Sequence, residues 1–278
     1  MIRDITIGQY YPADSLLHRM DPRVKLFGTM IFLIAVFSFR GIAGFLLLTV
    51  FLAGMIRLSR VPFRYMIKGL KAIWILMVIT AFFNIFLSNG SVTIWQWKWL
   101  HITREGVATA IKMVIRLVYL ILGTSLMTLT TTPNQLTDGL EKALKPLQAV
   151  RVPVHEIAMM MAIALRFIPI LIEETDKIMR AQMARGADFE SGNLIRKAKA
   201  MIPLLVPLFI SAFRRANDLA MAMEARCYRG GAGRTKMKPL RYSKRDYIGY
   251  LVVTVFLAAI IGLRGVVIPV LPDGAGWV

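Results

Sequence analysis

Apolar residues along this chain collect into long runs parted by basic stretches, the pattern of helices that cross a membrane rather than of amphipathic helices or half-buried strands. The first run, 26–56, is interrupted only by Arg40-Gly41. As a single helix rising about 1.5 Å per residue it would reach about 46 Å, against a hydrocarbon core of about 30 Å. It therefore predicts two short spans joined by a tight turn. A basic cluster of Arg57, Arg60, Arg64, Lys68 and Lys71 follows, then a third span over 73–87, a fourth over 107–129 and a last over 247–268 that ends in the nearly uncharged tail 269–278.

The stretches between the spans carry other patterns. Over 91–100, Trp95, Trp97 and Trp99 alternate with Gln96 and Lys98, which predicts a short strand or extended loop with one aromatic face. Tryptophan is favoured at headgroup level, so this reads as an interfacial anchor, with a carbohydrate or ligand platform as the sharper alternative. Thr132-Pro133-Asn134-Gln135 is a helix start: a Thr cap, Pro at the first helical position and Gln completing a capping box. Leu136, Leu140, Ala143, Leu144 and Leu147 then recur at helical spacing until Pro146 and Pro153, an amphipathic helix suited to lying along the membrane surface. The apolar stretch 154–172, with Met159, Met160, Met161, Arg166 and Pro169, is long enough to span but has basic flanks on both sides. One more crossing would put those flanks on opposite faces, so the expectation is a helix buried within the protein. The stretch 201–213, with Pro203 and Pro207, is too short to span and is expected to be buried likewise.

One short pattern appears twice between Glu173 and Arg226. Ala184-Arg185-Gly186 closes the first copy and Ala225-Arg226-Cys227 the second. Before the first, Glu173 with Lys177 and Asp176 with Arg180 are acid-before-base pairs four residues apart, which support an exposed helix. Before the second, Ala212, Ala216 and Ala220 form a smooth face on which another helix can cross closely. An arginine in a last turn faces the carbonyl end of the helix dipole, and Gly186 can take the left-handed conformation that stops the helix. Either arginine alone is equally well explained as a cap on its own helix. Two copies on neighbouring helices favour a docking device, with a guanidinium offered at each blunt tip.

Composition then narrows the class. The chain of 278 residues is 56% hydrophobic with a mean hydropathy of +0.59, which makes it an integral membrane protein. Its formal net charge of +19 flanks the apolar spans, the sign of cytoplasmic loops rather than of a nucleic-acid surface. A single cysteine excludes an internal disulfide framework, and His18, His101 and His155 lack ligand spacing, so no metal site is expected. Gly230, Gly231 and Gly233 lack the Lys-Ser/Thr ending of a nucleotide-binding loop, and the polar opening of the chain does not read as a cleavable signal peptide. Lys112 and Arg116 lie inside the fourth span, where they mark either a transport path or snorkelling at the helix start. Counting basic residues puts the N-terminal arm, the 57–71 cluster and 133–245 on the cytoplasmic side. Five spans with the N-terminus in the cytoplasm and the C-terminus outside satisfy that count.

At this point the residues resemble a known family. His18-Arg19-Met20-Asp21-Pro22-Arg23-Val24-Lys25, Thr103-Arg104-Glu105-Gly106, Thr131-Thr132-Pro133 and the two Ala-Arg motifs are similar, in order and over nearly the whole chain, to the transmembrane T component of energy-coupling factor (ECF) vitamin transporters. Asp21, Pro22, Arg23 and Lys25 stand as a structural signature. The resemblance implies a scaffold in the cell membrane with no catalysis and no cofactor of its own. It would sit between two ABC-type ATPases, which bind the ATP, and a small membrane S subunit that captures the vitamin. Ala184, Arg185, Gly186, Ala225, Arg226 and Cys227 would be the contacts to the ATPases. Cys227 stands where that family usually has Gly, which leaves the cap geometry there open.

The fold expected is all-α and polytopic, with about five transmembrane helices and a cytoplasmic domain of long crossing helices. Residues 1–130 would hold the arm and four spans, 131–245 the coupling domain, and 246–278 the last span and external tail. Seventeen methionines suit either a surface that fits several partners or ordinary membrane core. The rival function is a self-contained secondary transporter, which would need ionisable residues around a midplane site and symmetric spans.

Overall fold

The structure is a computed structural model, described here for residues 9–38, 41–87, 93–97, 100–189, 193–230, 237 and 239–263. It is almost entirely helical: α1 Pro22–Ser38, α2 Ile42–Ser59, α3 Phe63–Ala72, α4 Trp74–Leu87, α5 Arg104–Thr130, α6 Pro133–Ala143, α7 Val154–Ala184, α8 Leu194–Ala225 and α9 Lys244–Leu263. A short 3-10 helix, Lys145–Val150, follows α6, and two strands, β1 Thr93–Trp97 and β2 Leu100–Thr103, precede α5. The described residues fall into two compact units, one drawn from Gly8–Gly139 and Leu240–Val278, the other from Leu140–Pro239.

In the first unit α5 is the central post, with α1, α2, α3 and α4 packed on it and α9 laid against α1 and α2. The core runs through Val36, Leu48, Leu122, Leu126, Val253 and Phe256, and Phe51 stacks on Phe256 with ring centroids 4.0 Å apart. Gly123 allows α1 to come this close, since a Cβ there would lie 2.4 Å from the Phe32 ring. The 26–56 run does break in two, with α1 ending at Ser38 and α2 starting at Ile42; Arg40 lies outside the described residues. The third span is α4, and α3 meets it at a 59° bend, the pair being apolar and long enough to cross a membrane only when taken together.

The period-two tryptophan stretch is a strand: β1 pairs antiparallel with β2, Trp95 opposite Ile102 and Trp97 opposite Leu100. Trp99 and Lys98 lie outside the described residues. Thr103 caps α5, its hydroxyl accepting the Gly106 N–H at 3.1 Å, and glycine suits position 106 because an added Cβ would crowd Thr103 Oγ1 at 2.9 Å and the backbone oxygens of Asn84 and Ile85 at 3.1 Å. Both halves of the expected capping box form at α6: Gln135 N–H donates to Thr132 Oγ1 at 3.3 Å, and Thr132 N–H to Gln135 Oε1 at 3.2 Å. Within α5, the Arg116 guanidinium stands 5.8 Å from the centre of the Phe37 ring.

In the second unit α7 and α8 are each one continuous helix, of 31 and 32 residues, running through Pro169 and through Pro203 and Pro207. This corrects two expectations. The stretch 154–172 is not a buried helix but the first half of α7, of which only Val154 and Ala158 are buried, and α7 is long and apolar enough to cross a membrane, as are α5 and α9. The stretch 201–213 is the middle of α8, where Leu204 is buried while Ile202, Leu205, Val206, Phe209 and Phe213 face outward. The alanine face of α8 is used as its spacing predicts: Ala212, Ala216 and Ala220 border, together with Ile163, Phe167 and Leu171 of α7, a cavity of about 280 Å³ where the two helices pack.

Candidate functional site

The last turns of α7 and α8 are the same object built twice. At α7 the amides of Gly186 and Ala187 donate to the carbonyls of Met183 and Gln182, each at 3.0 Å. At α8 the amides of Cys227 and Tyr228 donate to Glu224 at 2.8 Å and Met223 at 3.0 Å. Each is a six-to-one bond enclosing a five-to-two bond, the Schellman closure. Arg185 and Arg226 occupy the same place in it, with φ, ψ of −90°, 8° and −93°, 16°.

The next residue must turn left-handed to expose its N–H inward. Gly186 does so at φ 86°, where it has no Cβ to clash, and Cys227 does so at φ 55°. The departure at Cys227 therefore leaves the cap intact, at a cost of about 1–2 kcal/mol for a side chain in that region.

Because backbone amides close both helices, neither arginine is needed as a side-chain cap. Ala184, Arg185, Gly186, Ala225, Arg226 and Cys227 are all exposed, and among the described residues no hydrogen bond or ion pair holds either guanidinium. The acid-before-base pairs expected on α7 do not close into ion pairs either. Instead Glu174 accepts from Arg215 of α8 at 3.3 Å, tying the two helices together. Sequence reading also missed His155, whose Nδ1 lies 3.1 Å from Glu141 Oε1, because the partners are fourteen residues apart with no shared motif.

The signature residues gather at a different place, where the N-terminal arm, α1, α5 and α9 of the first unit meet. Asp21 caps α1 by accepting the Arg23 N–H at 2.9 Å, with Pro22 at the first helical position. Gly139 lets α6 lie against Pro22, since a Cβ there would be 3.0 Å away. The Arg23 guanidinium covers the Tyr242 ring at 4.6 Å and donates to the Leu240 carbonyl at 3.2 Å. Buried Lys25 donates to the Thr130 carbonyl at 2.8 Å, placing a cation on the carbonyl end of α5.

His18 completes this cluster: its Nε2 donates to the Tyr11 carbonyl at 3.0 Å, so Nδ1 accepts from Ser15 Oγ at 2.6 Å. Burial pushes the His18 pKa below the ordinary 6.5, the Tyr11 hydrogen bond opposing that shift and the Lys25 charge adding to it. Asp246 is the member that sequence reading missed. Buried at the start of α9, it accepts the Asp21 amide at 2.7 Å and the Ser243 amide at 2.7 Å. Ser243-Lys244-Arg245-Asp246 has the spacing of a capping box, the signal that would have found it.

Among the described residues no three His, Cys, Asp or Glu side chains converge as a metal site requires.

Comparison with known proteins identifies the family. The family model described as "Cobalt transport protein" matches residues 13–237. The chain is similar to the energy-coupling factor transporter transmembrane protein EcfT of Clostridium kluyveri, 58% identical over 90% of this chain and 93% of the relative. It is similar also to EcfT of Ruminiclostridium cellulolyticum, at 56% over 94% and 97%, and to EcfT of Bacillus subtilis, at 47% over 94% and 98%. On a family model spanning most of its length and on relatives this similar from end to end, the chain belongs to the family of energy-coupling factor transporter transmembrane proteins, the T components of ECF transporters.

Proposed function

We propose that this T component is a scaffold without catalysis of its own, carrying the effect of ATP binding and hydrolysis from two ABC-type ATPases to a membrane S subunit that captures a vitamin or other micronutrient. The observation that carries this reading is the duplicated helix end. Two equivalent tips, each with a free arginine beside an alanine, suit two equivalent grooves, and arginine's planar fork can hold a carboxylate at both oxygens. In this reading Arg185 enters one ATPase and Arg226 the other, and the crossing of α7 and α8 links the two movements.

The test is the double variant Arg185→Glu, Arg226→Glu, copurified with its partners. Truncating either arginine is expected to cost about 2–5 kcal/mol of binding, because it leaves the partner's carboxylate desolvated and unpaired, and each reversal to Glu should cost more, because like charges then face each other. The double change should release both ATPases, and lysine should rescue poorly. If the double variant retains both ATPases and transports at the normal rate, the coupling role is wrong.

The same reading puts the N-terminus and the 133–245 region in the cytoplasm and the C-terminus outside, on the distribution of basic residues. A reporter fused after Val278 that works only in the cytoplasm would overturn that orientation.

A further inference from the structure

A second feature of the first unit has no part in the coupling reading. A cavity of about 240 Å³ opens between α1, α2, α5 and α9. Its floor is the buried apolar core, with Val24, Phe32, Leu52 and Val253, while Leu58, Ile248 and Val252 stand exposed at its mouth. Glycines from three helices, Gly28, Gly123 and Gly249, line it and let backbone form part of the wall. Apolar cavities of this kind exclude water and accept apolar guests. The volume is below the roughly 300–1,000 Å³ of pockets that enclose whole small-molecule ligands, which favours a single hydrocarbon chain over a compact polar solute.

The cavity is apolar along its length and charged at one end. Lys25, near the start of α1, and Arg245, in the first turn of α9, both line it, and Thr130 at the end of α5 lies beside them. The acids nearby are already committed. Asp14 is held by two guanidinium nitrogens of Arg19, Asp21 caps α1, and Asp246 accepts two backbone amides. Lys25 spends two of its N–H groups on the Thr130 and His18 carbonyls. Arg245 is exposed and has no hydrogen bond or ion pair among the described residues. An apolar slot that ends in an arginine with no hydrogen-bonded or ion-paired acid among the described residues matches an amphiphile with a negative head.

We infer that this cavity holds one acyl chain of an anionic phospholipid, with the lipid phosphate on Arg245 and the third N–H of Lys25 turned toward it. The occupant is a lipid rather than a transported solute because the slot is lined mainly by apolar side chains and its cations lie only at the end.

The full chain, purified in dodecyl maltoside and stripped of lipid, would be titrated with dioleoylphosphatidylglycerol and dioleoylphosphatidylcholine and read by native mass spectrometry. One tightly held phosphatidylglycerol is expected, favoured over phosphatidylcholine by about fivefold for the one free arginine. Arg245→Gln should erase that preference and Arg245→Lys keep most of it, while Arg57→Gln, at a residue that does not line the cavity, leaves it unchanged. Val252→Trp, at the exposed mouth, should block both lipids, and size-exclusion profiles show whether each variant is folded. Soluble glycerol 3-phosphate should not compete, since the head alone lacks the chain. Equal binding of the two lipids, an unaltered preference in Arg245→Gln, or undiminished binding in folded Val252→Trp would each overturn the inference.

Discussion

The unit built on α5 and the α7–α8 pair spend their apolar residues in opposite ways. In the first, Leu48, Val36 and Met66 are sealed from solvent, and Asp21, Arg23 and Lys25 each hydrogen-bond to backbone within the unit. In the second, two helices of more than thirty residues bury only Val154, Ala158 and Leu204 among their described apolar side chains, and leave Ile157, Met160, Ile202, Phe209 and Phe213 uncovered. An apolar surface this extensive on a folded chain marks contact with lipid or with another protein. The difference teaches that a cation's meaning here follows from its surroundings: Lys25 holds the fold together, whereas Arg185 and Arg226 wait outside it.

Three experiments bear on that contrast. The widest separation would come from the double charge reversal at Arg185 and Arg226, which should abolish assembly while leaving the isolated chain's unfolding unaltered. The same chemical change made in both regions sharpens the contrast. Lys25→Met strands the Thr130 carbonyl in the interior and should destabilise the chain by about 2–3 kcal/mol, while Arg185→Met, at an exposed tip, should stay within about 0.5 kcal/mol. Thermal unfolding in detergent measures both, and equal losses would erase the distinction. The smallest effects lie within the tips themselves. Gly186→Ala should weaken its helix end by about 1 kcal/mol and Cys227→Gly should strengthen the other by somewhat less, since glycine frees the unfolded chain. Hydrogen exchange at the Ala187 and Tyr228 amides reads these changes directly.

Local features were legible in the sequence because they close within a few residues. The Thr132 capping box, the break between α1 and α2, the β1 strand and the alanine face of α8 each depend on spacing that one segment contains. What a segment faces is not written in its own composition. The stretch 154–172 is as apolar as a core helix, and hydropathy alone does not distinguish a side chain that meets the same chain from one that meets lipid or a partner. For the same reason the Asp21 to Asp246 bond, across 225 positions, and the Glu174 to Arg215 tie escaped notice, since nothing in one sequence pairs residues so far apart.

The left-handed turn after α8 has a practical consequence. It places an exposed thiol immediately after Arg226, and Cys227 is the only cysteine in the chain. A maleimide carrying a nitroxide or a fluorophore can therefore be attached beside one tip and not the other without altering the sequence. Its mobility would report the arrival of a neighbour at α8 alone, allowing the two ends of a nearly symmetric device to be watched separately.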